Sequence, residues 1–239
     1  GGVQVYIGEN LGSPGERVLK GTASELAEIP CADLAVMLVL NPNSVNPFEP
    51  VRDEMLTRAK VPMTKEEVRW VSVARLGVQP GDTVWDVGAG TGAVTFELAR
   101  KAMDGAVFAV ERNTEAIELI AQNRQKLGGF NVHIVQGHAP EVLADLPRPN
   151  CVFVGGSGGN MREIIETALV KNPKARIAVN AIALETLQET QRLFAEFGLQ
   201  QVEITQLSAA RGKSIGCYTM MTANNPVFIL SGKGAKYGE

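Results

Sequence analysis

Residues Val84–Phe96 read VWDVGAGTGAVTF. An apolar strand runs into Asp86, glycines follow at Gly88, Gly90 and Gly92, and the next stretch, TGAVTFELARKA, has a helical pattern. Strand, glycine loop and helix in that order make a ligand crevice. The glycines let the backbone approach closely, and the helix start offers free N–H groups. Gly88, Gly90 and Ala93 fit the G-x-G-x-x-A spacing of dinucleotide sites. A P-loop is excluded by the spacing and by the missing Lys-Ser/Thr pair.

Asp86 discriminates among the ligands such a loop can hold. It ends the strand two residues before Gly88. A pyrophosphate there would face a carboxylate, and two like charges about 4 Å apart repel by roughly 4 kcal/mol at an effective dielectric near 20. The helix start returns only about 0.3–1 kcal/mol. S-adenosylmethionine (SAM) carries no phosphate. Its ammonium can lie near Asp86 and its carboxylate can meet the amides after Thr91. Glu111 ends the next strand roughly 20 residues on, where an acidic side chain takes ribose hydroxyls in NAD and SAM sites alike. The third strand ends in VQGHAP, which sets Gly137, His138 and Ala139 against the adenine. Thr64, Ala89, Gly92, Arg112 and Gly155 complete the candidate cofactor set. His133, inside the third strand, is expected to be structural.

Outward from this loop, short apolar strands alternate with amphipathic helices. TVWDV, AVFAVE, NVHIVQG, CVFVGG and ARIAVNA are the strands, and APEVLADL is a short helix between two of them. The rhythm predicts an α/β fold with a mostly parallel sheet and helices on both faces. Upstream, Thr64 is placed to cap a helix through KEEVRWVSVARL, with Glu67 completing a capping box and Gly77 ending it. Downstream, IGCYTMMTA and NPVFILSGK have no helix between them, which predicts an antiparallel C-terminal hairpin closing a seven-stranded sheet.

The chain divides at about residue 50. Residues 1–50 hold an apolar strand, DLAVMLVL, and then NPNSVNPFEP, whose three prolines and three asparagines read as a linker. About 40 residues seldom build a stable core alone, so this part is a domain fragment or an appendage to residues 51–239.

Composition narrows the function. Of 239 residues, 21% are charged and 5% aromatic, with a net charge of −3. An acidic, aromatic-poor chain lacks the basic stripe of a nucleic-acid surface. No apolar run is long enough to span a membrane. Cys31, Cys151 and Cys217 are scattered and odd in number, which suggests buried, reduced thiols in a cytoplasmic protein. With only His133 and His138 and no Cys/His cluster, no metal is expected.

VWDVGAGTG, with VE one strand later, resembles the class I SAM-dependent methyltransferases, over Val51 to Lys233. Two longer stretches, VPMTKEEVRWVSVARLGVQPGDTVWDVGAGTGAVTFELA and VQGHAPEVLADLPRPNCVFVGGSGGNMREII, resemble the decarboxylating precorrin-6Y methyltransferases of cobalamin synthesis. ENLGSPGERVLKGTASELAE and DLAVMLVL resemble the C-terminal end of the carbon-5 tetrapyrrole methylase that is fused ahead of that enzyme in some organisms. The resemblance implies methylation of a precorrin at carbon 15, loss of carbon dioxide from the ring C acetate, and a homotetramer. Because the part of the carbon-5 methylase that would bind its SAM is missing, carbon-5 methylation is not expected.

Such a substrate carries several carboxylates, for which Lys65, Arg69, Arg211 and Lys213 are candidate partners. Gly156, Ser157, Gly158 and Gly159, in the GGSGGN stretch after the fourth strand, offer amides and room for a flat ligand, and Asn180 ends the fifth strand. No nucleophile–base pair is evident, so no catalytic residue is assigned. Two alternatives stay open: an RNA methyltransferase, and a SAM-binding module without activity.

Overall fold

The computed structural model describes residues 3–41, 46 and 49–235. Two compact units divide the chain, residues 1–46 and 47–239.

In the first unit, β1 (Gln4–Glu9) pairs antiparallel with β2 (Arg17–Thr22) on one side and β3 (Ala35–Leu40) on the other. A one-turn helix, α1 (Ala23–Leu26), starts at Thr22. The Thr22 hydroxyl accepts from the Glu25 amide and the Glu25 carboxylate accepts from the Thr22 amide, a reciprocal cap. Val5, Ile7 and Leu26 form a small core. The carboxylate of Glu9 takes Arg17 at 2.7 and 2.9 Å, and that guanidinium is the main reason its pKa falls to about 2. By contrast Val36, Met37, Leu38, Val39 and Leu40 are all exposed, because β3 has one strand neighbour and neither face is covered within the unit. The expected linker at 41–50 lies largely outside the described residues.

The second unit contains helices α2 (Glu66–Leu76), α3 (Ala93–Lys101), α4 (Thr114–Leu127), α5 (Met161–Lys171) and α6 (Leu184–Glu196). Its strands are β4 (Thr83–Val87), β5 (Ala106–Glu111), β6 (Val132–Gln136), β7 (Cys151–Val154), β8 (Arg176–Ala181), β9 (Gln200–Leu207), β10 (Ala210–Ile215), β11 (Tyr218–Ala223) and β12 (Val227–Lys233). Seven of them form one sheet in the order β6-β5-β4-β7-β8-β12-β9, with β4 to β8 parallel and β12 antiparallel to both its neighbours.

Alternate side chains enter opposite layers, as strand geometry requires. Val84, Val107, Ala109, Cys151, Phe153 and Ala178 pack with α2, α3 and α4, whereas Trp85, Val110, Val152, Val154, Ile177 and Val179 pack with α5 and α6. Burial on both faces explains why these strands read as nearly continuous apolar runs. Strand order reverses between β4 and β7, and such a switch point leaves a crevice at the C-terminal ends of the strands.

Four expectations need correction. The C-terminal hairpin pairs β10 with β11, turning at Gly216 (φ 62°), and stands apart from the large sheet, while β12 inserts between β8 and β9. The apolar VFIL of β12 is buried and belongs in a sheet interior; YTMMTA of β11 is exposed throughout. Helix α2 begins at Glu66 with Lys65 as its N-cap and no side-chain cap, because Glu67 engages Arg211 instead of completing a box with Thr64. Residues Glu141–Asp145 form a 3-10 turn, not an α-helix. Of the three free cysteines only Cys151 is buried, and that burial pushes its thiol pKa up to about 12; Cys31 and Cys217 are exposed. His133 stacks on Phe108 with ring centroids 4.9 Å apart, a packing role.

Candidate active site

A cavity of about 740 Å³ opens at the C-terminal ends of β4, β5, β7 and β8, a size that suits a small ligand. Its floor is the glycine loop. Gly88, Gly90 and Gly92 all have positive φ (75°, 57° and 78°). At Gly88 a Cβ would lie 2.6 Å from the carbonyl oxygen of Gly156, so the loop after β4 and the loop after β7 meet backbone to backbone. The Gly90 amide donates to Glu111 Oε2 at 2.9 Å, while Glu111 Oε1 accepts the amides of Arg112 and Asn113 at 2.8 and 2.9 Å. One carboxylate thus joins the glycine loop to the start of α4.

Asp86 borders this floor and is fully buried. Its Oδ2 accepts from the Thr95 hydroxyl at 2.5 Å, and its Oδ1 has no partner among the described residues. Burial, with a smaller contribution from nearby Glu111 and against the Thr95 hydrogen bond, raises its pKa to about 7. A buried carboxylate with an idle oxygen at a cavity floor suits a cationic ligand group.

One wall of the cavity comes from Glu111, Arg112, Gly137, His138 and Ala139. Arg112 Nη1 lies 3.3 Å from His138 Nε2. A guanidinium only donates, so Nε2 accepts and the ring proton sits on Nδ1, 3.2 Å from Glu141. Opposite, the wall is Val68, Asn180, Ile182, Asn224, Asn225 and Val227.

The residues before α2 form a strap against the glycine loop, where a Cβ on Gly90 would lie 3.3 Å from the Pro62 carbonyl oxygen. Val51 is buried and its amide donates to Glu97 at 2.7 Å. Asn123, fully buried, accepts from the Thr57 amide at 2.7 Å and donates to the carbonyls of Thr57 and Thr91 at 2.9 and 3.0 Å, tying strap and glycine loop to α4. Between this anchor and α2, Lys60, Val61, Pro62, Met63, Thr64 and Lys65 line the cavity. Lys60 and Lys65 have no ion-pair partner among the described residues.

Of the residues singled out from sequence, the structure gathers Thr64, Lys65, Asp86, Gly88, Ala89, Gly90, Thr91, Glu111, Arg112, Gly137, His138, Ala139, Gly155, Gly156, Ser157, Gly158 and Asn180 around one cavity. Gly92, Arg69, Gly159, Arg211 and Lys213 lie outside its wall. Gly92 packs under Phe96, 2.8 Å from where a Cβ would sit, and starts α3. Arg69 is completely buried, donating to Asp53 at 2.7 Å and to the carbonyls of Val51 and Thr64 at 2.6 Å. Arg211 makes paired bonds to Glu67, both 2.7 Å, and one to Asp53 at 2.9 Å. Burial alone would raise Asp53, but Arg69 and Arg211 hold its carboxyl below the usual range. These two arginines are neutralised within the protein, and Lys213 is exposed on β10. Thr64 and Lys65 are the strap residues that the sequence singles out; Lys60, Asn224 and Asn225 join the cavity without a local signal, apart from the PMTK motif that follows Lys60.

The chain matches the precorrin methyltransferase domain family over residues 57–233. It is 42% identical over 184 residues to a probable cobalt-precorrin-6B C(15)-methyltransferase (decarboxylating) of Pyrobaculum calidifontis, covering 76% of this chain and 94% of that one. Among solved structures, it resembles a precorrin-6y C5,15-methyltransferase of Geobacter metallireducens at 35% identity, with a TM-score of 0.72 over 77% of this chain and 97% of that one. A precorrin 8w decarboxylase of Methanobacterium thermoautotrophicum gives 39% identity and a TM-score of 0.71, covering 77% of this chain and all of the other. These likenesses reach the residues that build the cavity, and the chain belongs to the precorrin methyltransferase domain family.

Proposed function

We propose that the second unit methylates a precorrin at carbon 15, using SAM, and removes the ring C acetate carboxylate as carbon dioxide, a step of cobalamin synthesis. The observation that carries the SAM assignment is Asp86, whose unpartnered buried oxygen borders the glycine loop and fits an ammonium. Thr91 and Ala93, at the start of α3, line the cavity and support a carboxylate site there, as Glu111 supports contact with ribose hydroxyls and Ala139 with His138 contact with the adenine. SAM, when bound, supplies a methyl group already electrophilic on its sulfonium, so no general base is assigned. The protein's part is to position and to exclude water, and positioning can lower a barrier by about 7–11 kcal/mol. Lys60 and Lys65, which line the cavity and have no ion-pair partner among the described residues, meet carboxylates that the substrate keeps.

Calorimetry with SAM and NAD, followed by methyl transfer to cobalt-precorrin-6B and to bulk tRNA, tests this reading. SAM binding and a methylated, decarboxylated tetrapyrrole are expected, with no label in tRNA. NAD binding without SAM binding would end it.

The first unit is, on the same reading, the C-terminal part of a carbon-5 tetrapyrrole methylase. Its exposed apolar edge strand β3 supports this, being suited to continue a larger sheet. Homotetramer formation is supported by the β10–β11 hairpin, which exposes Ile215, Tyr218, Met220 and Met221. The unpaired thiols fit a cytoplasmic protein.

A further inference from the structure

Ser72 lies in the middle of α2 and is completely buried. Its hydroxyl is 2.9 Å from Asn180 Oδ1 and 2.7 Å from the carbonyl oxygen of Val68. That hydroxyl has one proton to give. The hydroxyl shares it between two acceptors, the carbonyl of Val68 four residues back and Asn180 Oδ1. The amide is seated with its oxygen toward Ser72 and its nitrogen away. The nitrogen is buried without a partner among the described residues, and Asn180 lines the cavity. An idle buried donor in a cavity wall calls for an acceptor on the ligand.

The surroundings say which acceptor. Val68 and Val227 line the same wall, both apolar. Lys65 is seven residues from Ser72 along the chain, roughly 10 Å at 1.5 Å per residue. Lys60 and Arg112 reach the cavity from the strap and from the end of β5. With Ile182, Asn224 and Asn225 completing that wall, the Asn180 amide is a neutral donor on a side of the cavity that carries no charge. A cation suits a carboxylate that stays, because it stabilises the ionised form. A carboxylate that must leave is better held by a neutral donor, since strong ground-state binding raises the barrier to its loss.

Resting on the substrate reading above, we propose that Asn180, oriented by Ser72, seats the carboxylate that departs as carbon dioxide. The bond to the carboxyl carbon breaks and its electron pair passes into the macrocycle, left electron-poor by methylation. The proton that the methylated carbon gives up matches the one the shortened side chain takes, so no oxidant or reductant is needed. Asn180 is the substrate-binding group and Ser72 its positioning residue.

Mass spectrometry of the product, with methyl transfer and decarboxylation scored separately, tests this on Asn180→Leu, Asn180→Asp and Ser72→Ala. Each variant should decarboxylate at least tenfold more slowly and accumulate methylated tetrapyrrole that keeps its carboxylate. SAM affinity should stay within twofold, which also reports that the variants are folded. Asn180→Asp, which sets charge against charge, should be the slowest. Equal loss of both steps, or normal decarboxylation by Asn180→Asp, overturns the assignment. Wild-type protein that binds SAM yet methylates no precorrin overturns the substrate reading, and this proposal with it.

Discussion

The Thr95 hydroxyl holds one oxygen of Asp86 at 2.5 Å, and the other oxygen of that buried carboxylate has no partner among the described residues at the floor of the cavity. The polar group best placed to attract a cation is therefore also one whose ionised form burial disfavours.

This has a signed consequence for pH. The folded pKa of Asp86 is raised to about 7 from 3.8, chiefly by burial. Between those values the folded protein holds a proton that the unfolded chain has released, so this group's contribution makes stability fall as pH rises from about 4 to about 7, by up to roughly 4 kcal/mol. Asp86→Asn removes the charge. Calorimetric melts at pH 5 and pH 8 should show the variant losing less stability than wild type over that interval.

Ligand affinity should move the opposite way. A cationic ligand group needs Asp86 ionised, so the affinity for SAM should rise with pH toward and just past 7 and then level off. Asp86→Asn should weaken binding at pH 8 at least tenfold, about 1.4 kcal/mol, and flatten the pH dependence. A titration series from pH 6 to pH 8.5 reads both effects.

Gly88→Ala should cost at least about 2 kcal/mol and abolish SAM binding. Its φ of 75° disfavours any side chain, and the added methyl would sit 2.6 Å from a backbone oxygen that cannot swing aside. Thermal melts and SAM titration check this.

Four of the cationic side chains at or near the cavity should separate into two classes. Arg69→Ala leaves Asp53 without its buried partner and should cost about 3 kcal/mol of stability, and Arg211→Ala, more exposed, about 1 kcal/mol. Lys60→Ala and Lys65→Ala should leave the melting temperature within a degree or two and raise KM for the precorrin severalfold, more so at low salt. Melts and steady-state kinetics on all four make the comparison.

Sedimentation should report a change of assembly when the exposed hairpin is made charged. Tyr218→Asp combined with Met221→Asp is expected to yield monomers that still bind SAM, because neither residue lines the cavity.

What the sequence determined by itself was local. Strand, glycine loop and helix at Thr83–Lys101, the acidic end of β5 and the alternation of strands with helices all follow from periodicity and from backbone freedom within a few residues. Those features placed Asp86, Glu111 and the glycines of the floor. Tertiary structure decided which charges remain available. Arg211 meets Glu67 across 144 positions of sequence, and Arg69 turns back to Val51 and Asp53, so two cations that looked free are spent inside the protein, whereas Lys60 and Lys65 keep theirs for the cavity. The same holds for β12, which slides between β8 and β9 instead of pairing with its neighbour in sequence. Partner choice over long separations depends on which groups the folded chain brings together and which it takes out of water, and no local pattern of residues carries that information.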